Sequence, residues 1–166
     1  MKKLLFVFLM YVIPLAASAQ VRMGYFSYNA ILTSMTDYQL AKRSVDDLRL
    51  KYDAEMKRSE KEFNDKYEEF LEVQRDLVPS ILRKRQAELQ ELMEKNTAFK
   101  NDAMRLLKQA ETDALAPVKR KLNEAVARVG KERGYILVLN TDNDACPYID
   151  PELGEDATEA IKEAIK

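Results

Sequence analysis

The chain has 166 residues, 33% of them charged, with 27 Lys and Arg against 28 Asp and Glu. It contains no histidine and one cysteine, Cys146. That excludes His-based triads and general bases, zinc sites of the usual kind and any disulfide within the chain; no cofactor or metal is expected.

The N-terminus reads as a secretory signal peptide. Met1-Lys2-Lys3 precedes an apolar run from Leu4 to Ala16, and Ala17-Ser18-Ala19 is a small-x-small ending, so cleavage is expected near Ala19/Gln20. The apolar run is shorter than the ~20 residues a spanning helix needs. No cysteine stands at the cleavage site for lipid attachment. Export to a bacterial periplasm follows from this reading.

Val21–Phe26 is a strand candidate. From Tyr25 to Val129 there is no glycine, and only Pro79 and Pro117 interrupt the run. Glycine and proline punctuate compact folds, so their scarcity predicts long helix. A first arm is expected from about Asp37 to Asp76, with Thr36 as its N-cap. Ala41, Val45, Leu48, Tyr52, Met56, Phe63, Tyr67, Phe70 and Leu77 form its apolar stripe.

Val78-Pro79-Ser80 is the expected tip, with Ser80 capping a second arm that ends near Val129. There Leu82, Leu89, Asn96, Ala103 and Ala110 recur at sevens, beside Leu92, Phe99 and Leu106. Two such stripes joined by a short turn predict an antiparallel coiled coil. Acid-before-base pairs at Asp47–Lys51, Asp53–Lys57, Glu62–Lys66, Glu91–Lys95 and Glu124–Arg128 suit solvated helices. Asn96 either fixes the register or is an exposed polar position. Pro117 is expected to kink the second arm.

Gly130 and Gly134 lead to an apolar strand, Tyr135–Leu139. Asp142-Asn143-Asp144 reads as a turn, Cys146–Ile149 as a third strand and Pro151–Gly154 as a loop, and Asp156 to Lys166 forms an amphipathic helix. The fold class is α+β: a signal peptide over 1–19, a β-rich body from 20–35 and 130–166, and a helical hairpin over 36–129 with its tip near 78–80. One chain supplies little sheet to cover an apolar strand, so oligomerisation through the body is expected. Cys146 is read as a small buried residue near a strand or as an intermolecular bridge.

Charge is unevenly spread. Residues 80–129 carry 11 basic against 7 acidic residues, and the tail from Gly130 carries 4 against 9. No concentrated basic face emerges, so nucleic acid is not an expected partner.

The run Pro117-Val118, then Ala125-Val126-Ala127-Arg128-Val129-Gly130-Lys131-Glu132-Arg133-Gly134-Tyr135 into Ile136-Leu137-Val138-Leu139-Asn140, resembles the Skp (OmpH) family. Asp156-Ala157-Thr158-Glu159-Ala160-Ile161, followed by Lys162, is similar to its final helix. The resemblance spans the mature chain. It implies a homotrimeric, ATP-independent periplasmic holdase chaperone whose bodies associate and whose arms surround a cavity. Unfolded outer-membrane β-barrel proteins are held there. No enzyme activity is implied. The chain departs from the best-known members in being acidic, which bears on charge-driven capture of clients or lipopolysaccharide.

Within that reading, Met56, Phe63, Tyr67, Phe70, Met93, Phe99 and Met104 are candidate client contacts. Packing of arm against arm is the competing role for most of them, and Met93 and Met104 are the candidates for exposed, adaptable contact. Arg83, Lys84 and Arg85 form a basic tip, either solvated or in contact with anionic lipid or lipopolysaccharide. Tyr25, Phe26, Ile136, Val138 and Leu139 are assigned to a trimer core.

The other readings are weaker. A coiled-coil spacer or envelope adaptor would share the arms but bind one folded partner. For an enzyme, Glu68-Glu69 lies on a solvated helix, and Asp142/Asp144 lack the glycine and distal glutamate of a calcium loop. The C-terminal helix is short and mixed in charge for membrane-surface binding.

Overall fold

The computed structural model describes residues 22–166. The expected signal peptide lies outside the described residues, as does Val21 of the expected first strand. The described elements are β1 (Met23–Phe26), α1 (Tyr28–Ser34), α2 (Thr36–Val73), α3 (Pro79–Arg133), β2 (Leu137–Asn140), a 3-10 turn (Asp142–Asp144), β3 (Gly154–Asp156) and α4 (Thr158–Ile165). The chain is α+β, mostly helical, with one small parallel sheet. It divides into two compact units: Leu32–Lys121, and the residues up to Ile31 together with Leu122–Lys166.

In the first unit, α2 and α3 form an antiparallel hairpin. Lys121 Nζ lies 2.9 Å from Asp37 Oδ2, Asn96 Nδ2 donates to the Ser59 carbonyl at 3.1 Å, and the Tyr52 and Phe99 rings are 6.0 Å apart. Rising numbers on α2 thus meet falling numbers on α3. Val45 and Ala103 are buried, and most of the two stripes is half-buried. Asn96 faces inward, and its side chain ties α3 to the α2 backbone. Leu106 is exposed and Leu107 takes the inward place, because a straight helix drifts against a strict seven-residue repeat.

The helix ends differ from the expected caps. Met35, not Thr36, precedes α2 and makes no side-chain cap bond. At α3 the Val78 carbonyl accepts from the Ile81 and Leu82 amides at 3.0 Å, and Pro79 takes the first helical position. A missing N–H is harmless there, so Ser80 is not needed as a cap. The turn is Gln74–Val78. α3 runs on through Pro117, which is exposed and leaves one backbone hydrogen bond of the helix unmade. Of the expected ion pairs, Glu62–Lys66 closes at 2.8 Å and Glu91–Lys95 at 2.6 Å, whereas Arg128 turns to the Ala164 carbonyl.

In the second unit, β1 lies between β2 and β3 and is parallel to both. Gly134 adopts φ 67° and ends α3 in a Schellman turn, with Tyr135 N bonded to Gly130 O at 2.9 Å and Gly134 N to Lys131 O at 3.3 Å. This turn consumes Tyr135, so β2 begins at Leu137 rather than at Tyr135. The third strand is Gly154–Asp156, not Cys146–Ile149, which has no regular structure. Leu153 O and Tyr25 O join β3 to β1 through Met23 N and Ala157 N at 3.0 and 2.9 Å.

Helix α1 was not expected. Its start is fixed by Ser27 Oγ, which accepts from Ala30 N at 3.1 Å. Asp142 Oδ2 accepts from Asn29 N at 2.9 Å and Oδ1 accepts from Ser27 Oγ at 2.6 Å. Ser27 first, then the Asn29 amide, hold the Asp142 carboxyl below its ordinary range. The core of this unit holds Phe26, Ile31, Leu122, Ala125, Val129, Ala157 and Ile161.

Candidate functional site

The candidate residues fall on two surfaces, one along the hairpin and one on the sheet. Midway along the hairpin a cleft of about 490 Å³ is lined by Met56, Phe63, Met93 and Phe99, with Asp53, Lys57, Glu60 and Lys100 among its charged neighbours. Asn96 and Ser59 line it as well. The cleft is therefore mixed: four large apolar side chains, the Asn96–Ser59 bond and charges of both signs line it. Nearer the turn, Phe70, Val73 and Leu89 line a smaller cleft of about 200 Å³ with Lys66, Glu69, Arg85 and Glu88.

Helical spacing brings these side chains together. The structure places four of the seven candidate contacts, Met56, Phe63, Met93 and Phe99, in one cleft and Phe70 in the other. Tyr67 is exposed and stacks on Phe63 at 5.9 Å, while Met104 stands in water outside both clefts. Besides Leu106, the other exposed apolar residues on the hairpin are Leu40 and Leu50 on α2, far from the turn, and Leu71, Val73, Val78 and Ile81 near it. They fall off the stripe that pairs the helices, and that departure was their only signal.

The basic tip is partly neutralised. Arg85 pairs with Glu88 at 3.0 Å and Lys84 approaches the same carboxylate at 3.8 Å. Arg83 is exposed. Such surface pairs add at most a few tenths of a kcal/mol each.

The sheet has two unlike faces. Strand alternation puts Gly24, Phe26 and Val138 on one face and Met23, Tyr25, Leu137 and Leu139 on the other. The first face is covered by its own chain: a Cβ on Gly130 of α3 would touch Val138 Cγ2 at 3.6 Å, and Phe26 is buried. On the second face Leu137 is exposed and Met23, Tyr25 and Leu139 remain half-buried. Ile149 lies over Gly154 there. Ile136, just before β2, is 68% exposed. The five residues assigned to a trimer core are thus not gathered on one surface. Phe26 and Val138 face inward, Tyr25 and Leu139 face the open side, and Met23 and Leu137 join them.

A charged cluster closes the covered face. Glu155 is paired with both Arg22 and Arg133, and the Arg22 guanidinium lies 5.8 Å from the centre of the Tyr135 ring. The Tyr135 hydroxyl is buried without a well-formed hydrogen bond, although Glu155 and Arg133 stand near it. Burial pushes the Tyr135 phenol above its ordinary value, and Tyr135 and then Arg133 hold the Glu155 carboxyl below its own.

Among the described residues no group of three or more His, Cys, Asp or Glu side chains could hold a metal ion. No described helix is long and apolar enough to cross a membrane. Cys146 is half-buried with a free thiol. The family described as Outer membrane protein (OmpH-like) matches residues 22–165, body and hairpin alike. A comparison with curated proteins finds no match.

Proposed function

This chain belongs to the OmpH-like outer membrane protein family, and we propose that it is an ATP-independent periplasmic holdase. It binds unfolded outer-membrane β-barrel proteins and prevents their aggregation. The observation that carries this reading is the hairpin's surface, on which thioether and aromatic groups stand in water among charges of both signs. Unfolded chains expose apolar segments of no fixed sequence. Adaptable, flexible side chains such as Met meet them with many weak contacts rather than one fixed fit.

The same reading makes the chain a homotrimer, exported and processed near Ala19/Gln20. The open face of the sheet supports association, since Met23, Tyr25, Leu137 and Leu139 gain by leaving water. Capture needs no nucleotide: from Tyr25 to Val129 there is no glycine from which to build a phosphate-binding loop. Contact with anionic lipid or lipopolysaccharide falls mainly to Arg83, because Glu88 engages Lys84 and Arg85.

Dilution of a urea-unfolded barrel protein into buffer tests the proposal through light scattering by aggregates. The chain should suppress the aggregation at stoichiometric amounts, and Met93→Ser with Met104→Ser should weaken capture roughly tenfold. Unchanged capture by the double variant would remove these residues from the contact surface. Binding of a folded partner without suppression would favour the spacer or adaptor.

A further inference from the structure

The hairpin carries three methionines, Met56, Met93 and Met104, and none of them is buried. Met93 is 45% exposed and Met104 62% exposed. By contrast Met35, just before α2, is only 6% exposed. Met93 and Met104 are eleven residues apart on one helix, close to three full turns, so both lie along the same side of α3. Met56 and Met93 line the same cleft, with Phe63 and Phe99 as the apolar groups beside them. Two of the four large apolar side chains lining the cleft are thus thioethers, and a third thioether is exposed on the same side of α3.

We infer that Met56, Met93 and Met104 are oxidation sites through which two-electron oxidants of the hypohalous-acid class switch off client capture; this rests on the holdase reading. Each thioether gives up two electrons and gains one oxygen atom. Hypochlorous acid supplies that oxygen, its chlorine is reduced to chloride, and a proton is released. The product, methionine sulfoxide, is polar and rigidly dipolar where the thioether was apolar and adaptable. In the cleft it places an S=O dipole against Phe63 and Phe99, and on α3 it removes the apolar edge that Met93 and Met104 share. The helices should be left standing, because these side chains lie outside the buried core. Sulfoxide reductases reverse the change, which makes the site a switch.

The test uses the mature protein in a Cys146→Ser background, so that thioethers rather than a thiol respond, treated with a few equivalents of hypochlorous acid. Peptide masses should show one added oxygen at Met93 and Met104 first, at Met56 next and at Met35 last. Suppression of aggregation of a urea-unfolded barrel protein should fall roughly fivefold with helix content unchanged. Sulfoxide reductase treatment should restore it. In a variant with Met56→Leu, Met93→Leu and Met104→Leu, compared with itself before treatment, whatever capture it shows should not fall further on oxidation.

Equal loss of capture in the Leu variant, or full capture by protein oxidised at all three sites, would overturn the inference and leave the holdase reading intact. Untreated protein that captures nothing would overturn the holdase reading, and the inference with it.

Discussion

Gly24 is needed for the room it leaves. A Cβ at this position would stand 2.8 Å from Cδ2 and Cε2 of Tyr135, a ring wedged between β1 and the charged cluster of Arg22, Arg133 and Glu155. Gly24→Ala should push that ring off its place and lower the stability of the body by about 1–3 kcal/mol, measured by chemical denaturation. Gly130 offers a contrast, since its added Cβ would make only ordinary contact with Val138. Gly130→Ala should leave stability unchanged or raise it by about 0.5–1 kcal/mol, because alanine is the better helix former. If the two variants behaved alike, the close approach of Tyr135 would not be the reason for glycine at position 24.

At the scale of elements, Pro117 is the clearest local conflict. It sits exposed inside α3, where it lacks an N–H and crowds the turn before it. Pro117→Ala should raise hairpin stability by about 2 kcal/mol in thermal or denaturant unfolding; a loss would mean that the proline's geometry is required. The long helices were legible because glycine is absent and the apolar stripes recur. Their ends were not, because Met35 and Val78 act through backbone groups rather than through capping side chains. β3 was illegible for another reason. Gly154-Glu155-Asp156 are poor strand formers, recruited because the second edge of β1 offers backbone partners. Cys146–Ile149 has the better composition, but Asn143 and Asp144 turn the chain at positive φ just before it and Pro147 lies within it. The open sheet face was hidden as well: Ile136 to Leu139 is apolar at every position, so alternation could not say which residues face inward.

For the molecule as a whole, we propose that the body self-associates and that the hairpin captures clients through exposed apolar groups. The two roles should be separable. Leu139→Asp puts a charge on the open sheet face and should dissociate the assembly in sedimentation while leaving the helix content of the hairpin in place. An assembly that survives this change would move the interface elsewhere. Assembly and capture are tested together by the light-scattering mass of the mature protein, alone and mixed with a urea-unfolded outer-membrane barrel protein diluted into buffer. The expectation is a three-chain particle that gains the mass of a client and keeps it soluble. A monomer or dimer beside an aggregating client would contradict it.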